Sequence, residues 1–225
     1  AGKVLGGRVR FGMTPTVAEI LTVPLAKAIR ETYPELDLCF TVGFSGHLVD
    51  GLKRDEIDCC VSYDAEAIGA VRTRVGLEES LLLVGNADRQ LSMEVAVPFA
   101  ALADEALVLP SPLHGLRRII DAYASSTGIK LRPHLEADSF NAIVEFVREG
   151  LGVTIFPQAA IYKRVVAGEL CAAPLVDPVP RRKVVLTMPI DRPVSAAVRG
   201  AGDIFTDVAT SLGRGGQWAG RLATG

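Results

Sequence analysis

The fold is decided by residues 7–64, GRVRFGMTPTVAEILTVPLAKAIRETYPELDLCFTVGFSGHLVDGLKRDEIDCCVSYD. Residues 9–12 read as a strand, with an opening as early as Val4. The strand ends at Met13-Thr14-Pro15-Thr16. Thr16 with Glu19 three positions on fits a capping box, in which side chains satisfy the first free N–H groups of a helix. Val17, Ile20, Leu21, Leu25, Ala28 and Ile29 then recur at helical spacing through Thr32. Pro24 inside that pattern predicts a kink or a restart. Residues 36–42 form a second strand, a helix starts near Ser45 and carries Leu48, Val49 and Leu52, and residues 57–62 form a third strand. A β-α-β-α-β run with short connections implies parallel strands and right-handed crossovers.

Working outward, residues 80–85 (SLLLVG) read as a fourth strand, and residues 77–92 as a crossing into a second βα module. Residues 98–102 suggest a short helix and 106–110 a strand. A helix over 116–127 ends at Gly128 in the C′ manner. A strand over 131–137 follows. Asp138 or Ser139 then caps a helix whose Ile143, Val144 and Val147 share a face, with Gly150 as its stop. Residues 153–156 are a strand ended by Pro157, and 158–166 a helix. Residues 170–175 and 184–189 are late strands, and 195–212 is a final amphipathic helix. This predicts an α/β fold of two lobes with mainly parallel sheets joined by two crossover strands. Residues 1–79 build the first lobe, 80–189 the second, and 190–213 return to the first. The Gly-rich 214–225 read as a flexible tail.

Composition narrows the function classes. The 225 residues are 49% hydrophobic and 22% charged, with a formal net charge of −2, and the mean hydropathy is +0.30. That apolar content suits a sheet covered on both faces. A chain whose main task was gripping DNA would be basic. Cys39, Cys59, Cys60 and Cys171 form no CxxC pair, and His47, His114 and His134 form no HxxxH pair, so neither a zinc site nor a cofactor is expected. The cysteines read as buried small hydrophobes in a reducing cytoplasm. No apolar stretch reaches the length of a membrane span. The opening AGKVLGGRVRFG lacks the apolar core of a signal peptide and reads as the middle of a longer protein.

Candidate binding residues lie in the turns after the strands, where open α/β sheets take their ligands. They are Thr14, Pro15 and Thr16; Ser45 and Gly46; Ser111 and His114; Ser139; and Phe156 and Pro157. Several turns lead into helix N-termini, whose free N–H groups and dipole can hold a carboxylate, sulfate or phosphate. Singly, Thr16, Ser45 and Ser139 are also what ordinary N-caps look like; their clustering at strand ends points to a ligand. A Ser45–His114–Asp138 triad can be drawn on paper, but no GxSxG elbow supports it. Arg181-Arg182-Lys183, after Pro178 and Pro180, reads as a solvated loop. Arg117-Arg118 opens a helix and can neutralise an anion, with one of the two facing water.

Six segments, in order, resemble the effector-binding domain of LysR-type transcriptional regulators. They are the G-x-V-x-x-G strand at Gly7 to Gly12, the hydroxyl-bearing turn at Thr14 to Thr16 and the L-x-x-P-L helix at Leu21 to Leu25. Tyr33-Pro34 opens the next strand, the G-x-S-x-x-L turn spans Gly43 to Leu48, and an Asp-bearing element spans Arg54 to Asp58. Arg54-Asp55-Glu56 departs from the family, which usually has a Gly there. EADSFNAIVEFVREGLGVTIFPQAAI resembles a later family segment, and SPLHGLRRIIDAYASSTGI resembles the nitrogen-assimilation-control-like branch, as does the Pro15-containing turn. The resemblance runs from Gly7 to about Leu212.

The resemblance implies a type II periplasmic-binding-protein-like fold and a non-enzymatic, cytoplasmic sensor. Such a domain binds a small, anionic effector in the interlobe cleft and couples binding to oligomeric state. It implies an antiparallel homodimer through this domain, with the helix over residues 16–32 as the candidate surface. It further implies a tetramer of the full-length protein, and contact with DNA only through an N-terminal helix-turn-helix domain that this sequence lacks. Two readings compete on the same fold: a transporter's solute-binding protein, and an enzyme, for which His114, Glu136 and Asp138 are the available acid–base groups.

Overall fold

A computed structural model describes residues 5–63 and 71–223, with side chains described for 5–63 and 77–220. The expected opening of the first strand at Val4 lies outside the described residues. The chain divides into two compact units, residues 1–78 with 183–225, and residues 79–182.

The first unit begins with β1 (Gly7–Met13), α1 (Pro15–Thr32), β2 (Leu36–Val42), α2 (Ser45–Lys53) and β3 (Cys59–Tyr63). β1 pairs in parallel with β2 and with β3. All five residues of β3 are buried, as a strand covered on both faces requires. Val17, Ile20, Leu21, Leu25 and Ile29 form the buried stripe of α1. α1 runs through Pro24 as one helix without a restart.

β4 (Val71–Asn86) carries the chain into the second unit. There follow β5 (Val97–Pro98), a 3-10 turn at Phe99–Asp104, β6 (Leu107–Leu109), α3 (Gly115–Ser126), β7 (Pro133–Glu136), α4 (Phe140–Arg148), β8 (Thr154–Pro157), α5 (Gln158–Val166) and β9 (Leu170–Val176). β6 pairs in parallel with β7 and β5 with β9. β4 pairs antiparallel with β8 and β9, and one parallel bridge, Leu107 to Val153, links β6 to β8. Phe140, Ile143, Val144 and Val147 of α4 pack into a core with Leu81, Leu83, Phe99, Leu107, Leu109, Leu116 and Ile155. Each such side chain contributes about 1.5–3 kcal/mol by leaving water. Gly128 and Gly150 follow α3 and α4 at φ of +70° and +76°, the left-handed conformation that glycine adopts without strain.

β10 (Arg181–Pro189) returns the chain to the first unit and pairs antiparallel with β3. α6 (Ala196–Arg214) packs on α1. The sheets are mixed, with β4 antiparallel to β8 and β9 and β10 antiparallel to β3.

Three expectations need correction. Arg181-Arg182-Lys183 is strand, and Arg182 is buried rather than solvated, because Glu79 supplies its counter-charge at 2.5 Å. The return to the first unit falls at Lys183 and not at residue 190. The segment after α6 is anchored: Gln217 and Trp218 donate backbone hydrogen bonds to Leu212 O, Trp218 is 1% exposed, and β11 (Arg221–Ala223) pairs with β4. A large apolar ring offsets the glycine entropy that suggested fraying.

Candidate functional site

In the first unit the parallel register brings the ends of β1, β2 and β3 together. Thr14 N donates to Val61 O at 3.2 Å, and Gly43 N to Met13 O at 3.2 Å. Thr14, Pro15, Thr16, Ser45 and Gly46 are thereby collected at one edge of the sheet, with Tyr63 between them. Tyr63 N donates to Ser45 Oγ at 3.4 Å, and the Thr16 hydroxyl hydrogen-bonds the Tyr63 phenol.

The caps differ from the expected ones. Thr14 is the N-cap of α1, and its hydroxyl caps nothing. Thr16 lies inside the first turn and its hydroxyl goes to Tyr63, so the Thr16–Glu19 capping box does not form. Ser45 is likewise the first helical residue, after Phe44 as N-cap. Two helix N-termini without side-chain caps therefore open at the same edge; in α1 Pro15 has no N–H and Val17 N donates to Thr14 O at 3.1 Å, so the start of α2 offers the backbone donors for an acceptor from outside the chain. A Cβ at Gly46 would meet nothing within 4 Å, so the backbone there is open to approach.

Thr14 is the unusual member. It is 1% exposed, and its Oγ1 has no hydrogen-bond partner. Buried hydroxyls are nearly always paired, because an unpaired one loses its bond to water without a replacement.

The second unit gathers another set. Ala137 N donates to Leu109 O at 3.1 Å, which places the ends of β6 and β7 side by side. Ser111 donates from its N–H and its hydroxyl to the two carboxylate oxygens of Asp138, each at 3.0 Å. His114 is the N-cap of α3, its Nδ1 accepting from Leu116 N at 3.1 Å. Burial pushes His114 down to about 4, and the cap itself requires Nδ1 unprotonated. Ser139 is the N-cap of α4, accepting from Ala142 N at 3.3 Å. Phe156 and Pro157 end β8; the Phe156 ring lies 5.0 Å from that of Phe140 at the start of α4.

The triad drawn on paper is not the arrangement found. His114 faces its own helix's N–H, and both oxygens of Asp138 are taken by Ser111. Arg117, the buried member of the Arg117-Arg118 pair, already has anions: Asp121 at 2.9 Å and Glu136 at 2.6 Å, plus Pro110 O at 2.9 Å. Among the described residues no cluster of His, Cys, Asp or Glu is disposed to hold a metal. Cys59 and Cys60 are fully buried. Burial raises both thiols, Cys60 to about 12, which suppresses the reactive thiolate.

Sequence reasoning missed Tyr63 and the Glu79–Arg182 pair. Tyr63 ends the third parallel strand, so the strand-end rule that selected Thr14 and Ser45 covers it too. The ion pair had no local signal, since its members are 103 positions apart.

The comparisons agree with this architecture. Among curated proteins, the nitrogen assimilation regulatory protein nac of Escherichia coli is 28% identical over 173 residues, 76% of this chain and 54% of that protein. The HTH-type transcriptional regulator BbuR of Bordetella bronchiseptica is 26% identical over 98% of this chain and 68% of its own length. The chain thus spans roughly half to two thirds of these relatives. Among solved structures, an OxyR mutant of Corynebacterium glutamicum superposes with a TM-score of 0.82 at 20% identity, covering 97% of this chain and 70% of that one. The effector-binding domain of QuiR in complex with shikimate does so with a TM-score of 0.79 at 16% identity, covering 92% and 99%. The LysR substrate binding domain profile matches residues 2–210, and the chain belongs to that family.

Proposed function

We propose that this chain is the ligand-sensing part of a longer transcriptional regulator. It holds a small, anionic metabolite at the strand-end turns and couples occupancy to the oligomeric state of a DNA-binding protein. The observation that carries this reading is Thr14, a buried hydroxyl with no partner beside two helix N-termini without side-chain caps. A ligand oxygen would supply the missing partner and meet the free N–H groups at the same time.

The surrounding groups favour holding over converting. The Thr16 and Tyr63 hydroxyls are engaged with each other, the Ser45 hydroxyl accepts from Tyr63 N, and His114 is committed to its cap. Ser111, His114, Ser139, Phe156 and Pro157, at the strand-end turns of the second unit, are proposed as further effector-contacting residues. QuiR with shikimate and the Synechocystis CcmR regulatory domain with 2-PG support small-molecule binding on this fold. The curated relatives are named as regulators, which favours sensing over transport or catalysis.

Oligomerisation belongs to the same proposal: a homodimer through this domain, with α1 at the contact, and a tetramer of the whole protein. Val23 on α1 is 58% exposed, which suits a helix face that is covered in an assembly. DNA would be met by a helix-turn-helix domain outside this segment, in the cytoplasm. No helix among the described residues is long and apolar enough to cross a membrane.

The test is a melting screen with small carboxylates and with sulfur and nitrogen metabolites, which should yield at least one compound that raises Tm. That rise is expected to vanish in Thr14→Ala and in Ser139→Ala. A shift unchanged in both variants would remove the proposed site.

A further inference from the structure

At the opposite ends of the same parallel strands, the first unit contains a cavity of about 340 Å³. Arg8 and Arg10 come from the start of β1, Asp55 and Asp58 from the turn before β3, Arg192 from the segment after β10, and Ser195 from the start of α6. The lining carries three guanidinium groups and two carboxylates.

The carboxylates are already occupied. Asp58 accepts from Arg10 N at 2.7 Å, Nε at 3.2 Å and Nη2 at 2.6 Å. Asp55 Oδ1 accepts from Arg10 Nη2 at 2.9 Å and lies 3.2 Å from Arg192 Nη2. Arg192 donates otherwise to neutral carbonyls, Leu52 O at 2.8 Å and Ile57 O at 3.2 Å. Asp191, outside the lining, stands 3.9 Å from Arg192, and Asp37 is the register neighbour of Arg8 on β2. The Arg8 side chain lies in no hydrogen bond or ion pair among the described residues.

One guanidinium in this cavity thus keeps its whole donor fork, beside another that shares the Asp55 carboxylate with Arg10 and otherwise donates to neutral carbonyls. Guanidinium groups bind oxyanions through paired N–H donors, and that geometry fits carboxylate and phosphate oxygens alike. The N-terminal end of α6 adds a positive potential from the same side.

We propose that this cavity is a second ligand site, separate from the strand-end turns, which takes a small oxyanion with Arg8 as its principal ligand and Arg192 as its support. Two small-molecule sites on one chain would let the protein read two metabolites, or one metabolite at two concentrations.

The probe is inorganic phosphate, titrated against the chain by thermal melting with sodium chloride at matched ionic strength as the control. A saturable rise in Tm is expected with phosphate and not with chloride. Arg8→Gln should weaken half-saturation by about tenfold or more. Because Arg8 is exposed and unpaired, that variant should fold as the parent does, which its melting without phosphate would verify. Thr14→Val should leave the phosphate response intact. Absence of a saturable rise, or its survival in Arg8→Gln, would overturn the proposal. Loss of the rise in Thr14→Val would assign phosphate to the strand-end site and overturn it equally. Since the proposal does not rest on the sensing role, failure of either leaves the other standing.

Discussion

Arg182 Nε lies 2.5 Å from Glu79 Oε1, and the two side chains are 0% and 1% exposed. Glu79 is on β4, where the chain enters the second unit, and Arg182 is on β10, where it leaves. Leu81 N donates to Pro180 O at 2.8 Å beside them, so the pair ties the entering and leaving strands together. A charge this deep is tolerated only with its partner. Arg182→Met should therefore cost about 3–5 kcal/mol, while a double replacement by apolar residues of similar volume should recover most of that loss. Urea unfolding of the two variants checks this. Equal destabilisation in both would mean that the pair matters for its volume and not for its charge.

The Thr14 hydroxyl should be a liability until something binds it. Thr14→Val keeps the shape and removes a buried, unpaired polar group, whose burial costs about 1–3 kcal/mol by protein mutational data. The expected outcome is a variant slightly more stable than the parent that no longer responds to the sensed metabolite. Stability comes from chemical denaturation and response from ligand-dependent melting. A Thr14→Val protein that is less stable and still responds would place the hydroxyl's role elsewhere.

His114 should give the protein an acid-sensitive cap. Its imidazole is pushed from 6.5 down to about 4, chiefly by burial; Arg182 and Arg118 act in the same direction, and Asp138 opposes them. Above about pH 6.5 neither folded nor unfolded chain protonates this group, and it contributes no pH dependence. As pH falls from about 6.5 towards 4, the unfolded chain binds a proton that the folded one refuses, so stability falls. At about 1.4 kcal/mol per pH unit the loss is at most about 3 kcal/mol. Asparagine caps helices well and does not titrate. His114→Asn should flatten this limb of the stability–pH curve measured between about pH 7 and pH 4. Superimposable curves for the two proteins would contradict the assignment.

How much of this was legible depends on distance along the chain. The first β-α-β-α-β run could be read because its periods and turns are local; β2 and α5 fall at their expected bounds. Of Asp138 and Ser139, the two caps expected for α4, Ser139 is the one found; the choice was narrowed to two because capping is decided within four residues. Thr16 was misplaced by two positions, because Pro15 at the first helical position moves the cap back to Thr14. The two-residue β5 carries too little pattern to be seen. Tyr63 and Arg182 are set by pairing across strands, which no local window contains. Arg8 and Arg192, on one cavity wall, are nearly the whole chain apart.

The same reasoning explains Trp218, the only tryptophan. Glycines on both sides hid it from a reading based on local stiffness, yet its ring is 1% exposed. Its N–H bonds back to Leu212 O at 3.1 Å, and Gly220 beyond it sits so close to Leu77 that a Cβ there would meet a side-chain carbon at 2.7 Å. The segment after α6 is therefore a clasp on the first unit. Trp218→Ala should cost about 3–5 kcal/mol, the range for emptying a buried aromatic site. The folded protein's tryptophan emission should be blue-shifted and should move to the water-exposed wavelength in the same cooperative transition as the far-ultraviolet circular dichroism. Emission already at the exposed wavelength before unfolding, or a Trp218→Ala loss under about 1 kcal/mol, would return the segment to the status of a loose tail.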